Sequence, residues 1–306
     1  MQKIGDVIKG LRKNVGLSQK QLVGNVIDVG HLGRIERNKV APSMDTIEIL
    51  IERLGHNPDI VAELLVDEHF AAMRGMKEKL DNNLIKGDIA KAELIIEFLE
   101  SDEKFMKYKK SKQYILMCKA NVLLLKEASM DEIQDVLLES IKIYIPEFVL
   151  SDAICKFLLT KQEIRIINMM ALVLYNQGNL SQVIEIMYYL KQNMDDRFLD
   201  AAAKGADYSL IISSLAKYLG LAERYDEAIE MCDIGINMCL ETGAVWLVPL
   251  TVCSKGQYLR KIGKIEEGNI LIIQSHASMT LFKQDEYAEK LKVYAEENGI
   301  DLIKSF

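Results

Sequence analysis

The sequence predicts an all-α protein. Apolar residues recur at spacings of three and four, as at Leu94, Ile95, Phe98 and Leu99, which is the period of an amphipathic helix. The 306 residues include four prolines, so long helices can run almost throughout the chain. No run of alternating apolar and polar residues is flanked by turn signals, and such runs are what β-strands require.

The amino-acid composition indicates a globular protein without membrane spans or disulfides. Apolar residues make up 49% and charged residues 27% of the chain, which is typical of a globular protein, and the length fits two domains. No apolar stretch approaches the roughly eighteen residues of a membrane span, and charges interrupt the apolar start of the chain. The five cysteines, an odd number without a CxxC pair, indicate reduced thiols. We therefore expect a cytoplasmic protein.

The net charge of −7 is unevenly distributed. Residues 1–44 hold eight Lys or Arg and three Asp or Glu, which gives +5, so the remainder carries −12. A basic end on an acidic body favours an anionic partner for that end. A segment of this charge is also consistent with an ordinary solvated surface.

Five short helices are predicted in residues 1–66. Ser18, Asp28 and Ser43 are suited to cap the second, third and fourth helices, and Gln21 completes a capping box with Ser18. Pro58 opens the fifth. The predicted spans are residues 4–14, 18–22, 29–37, 43–54 and 60–66.

Residues 4–66 resemble the Cro/C1-type (XRE) helix-turn-helix family. The residues that carry the resemblance are Arg12, residues 16–22, residues 32–37, Pro42, Ser43, Ile47 and Leu50. Asn38 stands where the family usually has glycine, and asparagine tolerates the left-handed conformation required there. Gly30 and Gly33 are further departures from the family pattern. Each glycine inside a helix destabilises it by about 1 kcal/mol relative to alanine.

The resemblance implies that the third helix enters the major groove of DNA. The residues expected to contact bases are Val29, Gly30, His31, Gly33 and Arg34. Arg34 alone among them can hold guanine with two hydrogen bonds, although it could also be a surface charge beside Glu36. Phosphate contacts are expected from Ser18, Gln19, Lys20 and Lys39. The family pattern gives Glu36 a structural role, bonded to Arg12 or to backbone amides.

The remaining residues, 67–306, contain a repeat. Similar segments align the apolar positions 89, 130, 180, 225 and 265, each at a predicted tight turn between two helices. Small residues precede several of these turns, at Ala120, Ala171, Ala216 and Gly256. Small groups at matched points let paired helices approach closely, which predicts a helical-hairpin solenoid. The repeat resembles the tetratricopeptide repeat, which implies a right-handed solenoid, and HEAT-like pairing is the alternative.

A stack of such hairpins exposes the first helix of each pair on a concave face. The repeat pattern places the following residues there: Tyr114, Asn121, Arg165, Asn168, Tyr175, Asn176, Ser213, Lys217, Gln257 and Arg260. Asparagine amides both donate and accept, so they suit an extended peptide backbone. Each of these residues taken alone could equally be a solvated helix position.

No motif for catalysis or for a cofactor is present. The four histidines are isolated in the sequence, without a partner at metal-ligand spacing. No phosphate-binding glycine-rich loop and no GxSxG elbow occur. We therefore expect neither an enzyme, nor a cofactor, nor a metal site.

The order of a Cro/C1-type domain and a tetratricopeptide-like array resembles the Rgg/PlcR/PrgX group of bacterial peptide-pheromone receptors. The resemblance implies a homodimer that binds operator DNA and is switched by a short peptide in the concave groove. Two alternatives remain open: the array could dock another protein, or it could serve only for dimerisation.

Overall fold

The computed structural model describes residues 3–24, 26–56, 68–150, 158–197 and 201–302, and within these ranges every regular element is a helix. The all-α prediction is confirmed, whereas the fifth helix predicted over residues 60–66 lies outside the described residues. The helices are α1 (Ile4–Asn14), α2 (Gln19–Val23), α3 (Val29–Glu36), α4 (Met44–Arg53), α5 (Glu68–Ile85), α6 (Ile89–Ser101), α7 (Glu103–Met106), α8 (Lys109–Leu125), α9 (Met130–Lys142), α10 (Lys161–Asn176), α11 (Leu180–Arg197), α12 (Ala201–Leu221), α13 (Tyr225–Thr242), α14 (Val248–Lys261), α15 (Ile265–Leu281) and α16 (Asp285–Glu297).

Two compact units divide the chain, residues 1–178 and residues 179–306. The first unit contains the four N-terminal helices together with α5 to α10, and the second contains α11 to α16. The domain boundary predicted near residue 66 falls within residues 57–67, which lie outside the described ranges.

The four N-terminal helices enclose an apolar core of their own. Ile8 of α1, Leu22 of α2 and Leu50 of α4 are fully buried in it, as are Leu32 and Ile35 of α3. Burial of side chains of this size is what stabilises so small a helical domain.

The predicted helix caps are confirmed. The Ser18 hydroxyl accepts the amide of Gln21 at 3.2 Å while the Gln21 side chain accepts the amide of Ser18 at 2.8 Å, which completes the capping box. Asp28 and Ser43 each accept an amide from the first turn of the helix that follows. Asn38 adopts the left-handed conformation predicted for it, with φ of 55°.

The helical hairpins of the repeats share one turn conformation. A left-handed residue, with φ between 56° and 87°, ends the first helix at Gly87, Glu127, Gly178, Glu223, Gly263 and Lys283. After Gly87, Glu127, Glu223, Gly263 and Lys283 the next amide bonds back to the carbonyl five residues earlier, as from Lys264 N to Leu259 O at 2.9 Å. This is the Schellman arrangement, which satisfies carbonyls at a helix end. The aligned positions 89, 130, 180, 225 and 265 are each the first residue of the helix after such a turn.

Small residues lie where the paired helices approach, as predicted. Ala120, Ala171 and Ala216 are buried. A β-carbon on Gly256 would lie 2.8 Å from the carbonyl oxygen of Gly268, so α14 and α15 pack backbone to backbone at this point. At Gly256 the hairpin depends on the missing side chain, because a β-carbon does not fit between the two helices.

The last helix, α16, covers the end of the second unit. Ala288, Leu291 and Ala295 form its buried face, and Tyr294 packs beside them. Tyr287, on the same helix, is 49% exposed.

None of the described helices is long and apolar enough to cross a membrane. Four cysteines are free thiols, namely Cys118, Cys232, Cys239 and Cys253, and Cys155 lies outside the described residues.

Candidate DNA-binding and ligand-binding sites

An ion pair joins the N-terminal helices, and it is the pair that the family pattern implied. Nε of Arg12 donates to Oε1 of Glu36 at 2.6 Å, and Nη2 donates to Oε2 at 3.0 Å. The remaining Nη1 donates to the Leu17 carbonyl at 2.7 Å. Burial alone would raise the pKa of Glu36, but hydrogen bonds from Arg12 and Gln19 hold it below its ordinary value. This bidentate contact fixes α1 against the end of α3.

The Gln19 side chain takes part in the same contact. It was predicted to contact phosphate, but its Nε2 donates to Oε2 of Glu36 at 2.8 Å. Ser18 and Lys20, its two neighbours in that prediction, are exposed, as is Lys39.

Two arginine side chains lie over glycines of α3. A β-carbon on Gly30 would lie 3.9 Å from Nη1 of Arg34, and one on Gly33 would lie 3.5 Å from both terminal nitrogens of Arg37. Each exposed guanidinium therefore lies along the helix over the glycine four residues before it. Nη2 of Arg34 also lies 3.2 Å from Nδ1 of His31. The outer surface of α3 is cationic although two of its positions lack a side chain.

The other predicted base contacts differ in exposure. Val29 and Gly30 are exposed and His31 is partly buried. Gly33 is buried beneath Arg37, so a base could reach it only by displacing that side chain. Arg37 was missed by the sequence analysis, although the twice-repeated spacing Gly-x-x-x-Arg could have indicated it.

In the first unit, α5 and α8 meet at Tyr114. The Tyr114 hydroxyl donates to Oδ1 of Asp81 at 2.7 Å and lies 3.1 Å from the Lys77 carbonyl. The ammonium of Lys77 lies 4.5 Å from the centroid of the Tyr114 ring, and burial lowers the pKa of Lys77. Because Tyr114 is 3% exposed, it offers little surface to a ligand. Lys77 and Asp81, on a helix that showed no clear repeat signal, are the polar groups that sequence reasoning missed here.

Five predicted peptide contacts lie on α8 and α10, namely Asn121, Arg165, Asn168, Tyr175 and Asn176. The two helices meet where Nε2 of Gln162 donates to Oε1 of Gln113 at 2.9 Å. Asn121 and Asn168 are partly exposed. Nδ2 of Asn176 donates to the Leu172 carbonyl of its own helix at 3.0 Å, so one of its amide protons is already used.

The other four predicted peptide contacts belong to the second unit. The hydroxyls of Ser213 and Thr251 lie 3.2 Å apart and join α12 to α14. Lys217 is exposed and Gln257 is partly exposed. Arg260 bonds to the side chain of Asn269, and its Nη2 lies 3.3 Å from the Asn298 carbonyl. Arg260 is therefore held by partners within its own unit.

A cavity of about 380 Å³ lies in the first unit, apart from the predicted contacts. Two ion pairs line it, with Lys119 2.6 Å from Glu100 and Lys126 2.5 Å from Glu93. The lining residues are Glu93, Ile96, Glu97, Glu100, Lys119, Val122, Leu123, Lys126 and Val136.

Comparison with known proteins agrees with the geometry of the N-terminal helices. Residues 8–60 match the helix-turn-helix family. These residues form a helix-turn-helix domain. No curated protein shows a significant match to the sequence.

Solved structures show the same fold over nearly the whole chain. PlcR of Bacillus thuringiensis, in complex with the peptide PapR7 and DNA, is 19% identical with a TM-score of 0.59, covering 95% of this chain and 99% of that one. The apo form of PlcR is 17% identical with a TM-score of 0.60, covering 94% of this chain and 97% of that one. The competence regulator ComR of Streptococcus vestibularis, in complex with its signalling peptide XIP, is 15% identical with a TM-score of 0.51, covering 97% and 99%. The predicted likeness to the PlcR group is thus confirmed for the fold.

The Arg12–Glu36 pair gives the helix-turn-helix domain a pH dependence. Because the pKa of Glu36 is lowered in the folded state, its contribution is present above the unfolded pKa of about 4.3 and is lost as the pH falls through the folded value. Glu36→Gln should cost about 1–3 kcal/mol of unfolding free energy near neutral pH, and the cost should shrink in acid. Urea unfolding from about pH 3 to pH 8 measures both effects. Asp6→Asn, at an exposed position of α1, is the control, and a cost for Glu36→Gln that is independent of pH would contradict the assignment.

Proposed function

We propose that this protein is a cytoplasmic transcription regulator that reads duplex DNA with α3. The observation that supports it best is the outer surface of α3, where Arg34 and Arg37 lie exposed while Leu32 and Ile35 fill the core behind them. A helix that is anchored on one side and cationic on the other can enter the major groove, where arginine holds guanine O6 and N7. Lys20 and Lys39, exposed at either side of α3 in the sequence, suit phosphate.

We propose further that a short peptide controls this activity. The described polar residues on α5, α8 and α10 include amides at Asn121 and Asn168, which match the alternating donors and acceptors of an extended backbone. Lys77 and Arg165 add cations that suit a terminal carboxylate. The PlcR and ComR structures with bound peptides give the same fold a precedent for such a ligand.

A homodimer is the third part of the proposal. One helix-turn-helix domain contacts a short half-site of DNA, and a two-fold symmetric dimer contacts two such half-sites. In the second unit, Nε2 of Gln284 donates to the Trp246 carbonyl at 2.7 Å, which joins two turns that expose large apolar side chains. Leu281 is 79% and Phe282 is 44% exposed there, so this surface suits contact with a second copy.

Replacement of Arg34 tests the reading of bases. Arg34→Ala should weaken binding to the preferred site by about 1–3 kcal/mol and relax its preference. Lys39→Ala should weaken all duplexes alike and reduce the salt slope by about one unit. Fluorescence anisotropy of the full chain on a site selected from genomic fragments, and on a random duplex, measures both. Lys86→Ala, an exposed change outside the domain, is the control. Equal losses on both duplexes for Arg34→Ala would count against base reading.

Replacement of Asn121 and Asn168 tests whether their amides bind a peptide. Short peptides encoded beside the gene are screened by thermal shift, and calorimetry then compares variants with a peptide that binds. Asn121→Ala with Asn168→Ala should lower the affinity by about tenfold or more, since each unsatisfied amide partner costs about 1–3 kcal/mol. Asn237→Ala, at an exposed asparagine of α13 that is not among the predicted contacts, is the matched control. Unchanged affinity in the double variant would remove these amides from the site.

Replacement of Leu281 and Phe282 tests whether this apolar surface holds a homodimer together. Sedimentation at micromolar concentration should show two chains per particle, and Leu281→Asp with Phe282→Asp should shift the chain to a monomer, because charges would be buried at the contact. Leu94→Asp, at an exposed apolar position of the first unit, is the control. A wild-type monomer, with and without DNA, would instead favour a different protein as the partner of this surface.

A further inference from the structure

Helix α4 carries an acidic stripe that an isolated helix-turn-helix domain would leave in water. Asp45, Glu48 and Glu52 follow each other at helical spacings of three and four. In the folded chain Glu52 is buried and the other two are partly buried. Ile49, between them, is 1% exposed although it is not part of the domain's own apolar core. Something outside the four N-terminal helices therefore covers this face.

The covering group is the start of α8. The ammonium of Lys110 lies 2.7 Å from Oε2 of Glu48 and 2.8 Å from Oε1 of Glu52. The backbone amide of Lys110 donates to Oδ1 of Asp45 at 3.2 Å, and the hydroxyl of Tyr144, after α9, donates to Oδ2 at 2.8 Å. Every carboxylate of the stripe is thus bound by the first repeats.

The first turn of α10 enters the same contact. The amide of Lys161 donates to Oε2 of Glu52 at 3.2 Å. Glu163, whose carboxylate caps α10 through Thr160, is buried, and burial raises its pKa while the charge of Arg53 opposes the rise. Arg53 in turn donates from Nη1 to the Leu22 and Val23 carbonyls at 3.1 and 2.7 Å. The first turn of α10 is thus bonded to α4 through Glu52, while Arg53 joins α4 to the end of α2.

We infer that the acidic face of α4 is an intramolecular docking surface, bound by Lys110 and the first turn of α10, that fixes the orientation of the helix-turn-helix domain on the first repeats. The contact leaves the outer surface of α3 exposed, so it positions the domain without covering the residues proposed to read DNA. Because buried charges are stable only while paired, the contact holds as a unit or opens as a unit.

Hydrogen exchange on the full chain tests this docking. In Lys110→Met, the amides of residues 44–54 should exchange about tenfold faster or more, because opening the contact exposes α4. The amides of α1 and α3, which make none of these contacts with the repeats, should keep wild-type rates. Lys119→Met is the matched control, since it removes a more exposed ion pair from the same helix. Wild-type exchange over residues 44–54 would overturn the inference, and so would an equal acceleration throughout α1 to α4.

A milder variant keeps the test decisive if Lys110→Met does not fold. Tyr144→Phe removes only the hydroxyl that binds Asp45, so faster exchange should be confined to the start of α4. No change there would also overturn the inference.

One consequence rests on the proposed peptide, because Arg165 and Asn168 follow on the same helix as Lys161. A bound peptide should then change exchange over residues 44–54 in the wild type and not in Lys110→Met. A peptide that protects α8 and α10 without any effect on α4 would refute transmission through the docking surface. If no peptide binds, the proposed function fails, while the exchange of the unliganded variants still decides the docking.

Discussion

The ammonium of Lys110 lies between the carboxylates of Glu48 and Glu52, and the placement of the helix-turn-helix domain on the first repeats depends on that contact. Burial alone would lower the pKa of Lys110, but the two carboxylates raise it above its ordinary value, so the lysine stays charged. Removing such groups from water costs several kcal/mol per ion, and only the full set of partners offsets that cost. The contact therefore contributes more to the orientation of the domain than to the free energy of unfolding.

The sequence predicted the architecture well because helix ends and helix turns are local. Capping at Ser18, Asp28 and Ser43 depends on residues within one turn of the chain, and each cap forms as expected. The repeat alignment succeeded for the same reason, since a Schellman turn fixes the start of the next helix within two or three residues. The Arg12–Glu36 pair, which is distant in sequence, was accessible only through the resemblance to a family.

What escaped prediction was the environment of individual side chains. Periodicity places Tyr114 on a helix face, but it cannot show that α5 covers the ring and binds the hydroxyl through Asp81. In the same way, Gly33 was expected to face DNA, whereas the side chain of Arg37 lies over it. The acidic stripe of α4 resembles any solvated helix face until the partner helix is known. The surroundings of Tyr114 and of the acidic stripe depend on packing between elements that are remote in sequence, whereas Arg37 covers Gly33 from only four residues away.

Three of the hairpin turns contain backbone strain, and its removal would stabilise the array. Glu127, Glu223 and Lys283 adopt the same left-handed conformation as the glycines at equivalent turns, with φ near 57°. A side chain in that conformation costs about 1 kcal/mol or more, so the three turns together hold on the order of 3 kcal/mol, a sizeable share of what a domain has in total. None of the three residues belongs to a proposed contact with DNA or ligand. For protein engineering, the array is thus a scaffold whose heat resistance can be raised by glycine at Glu127 and Glu223, two exposed turn positions outside the proposed sites.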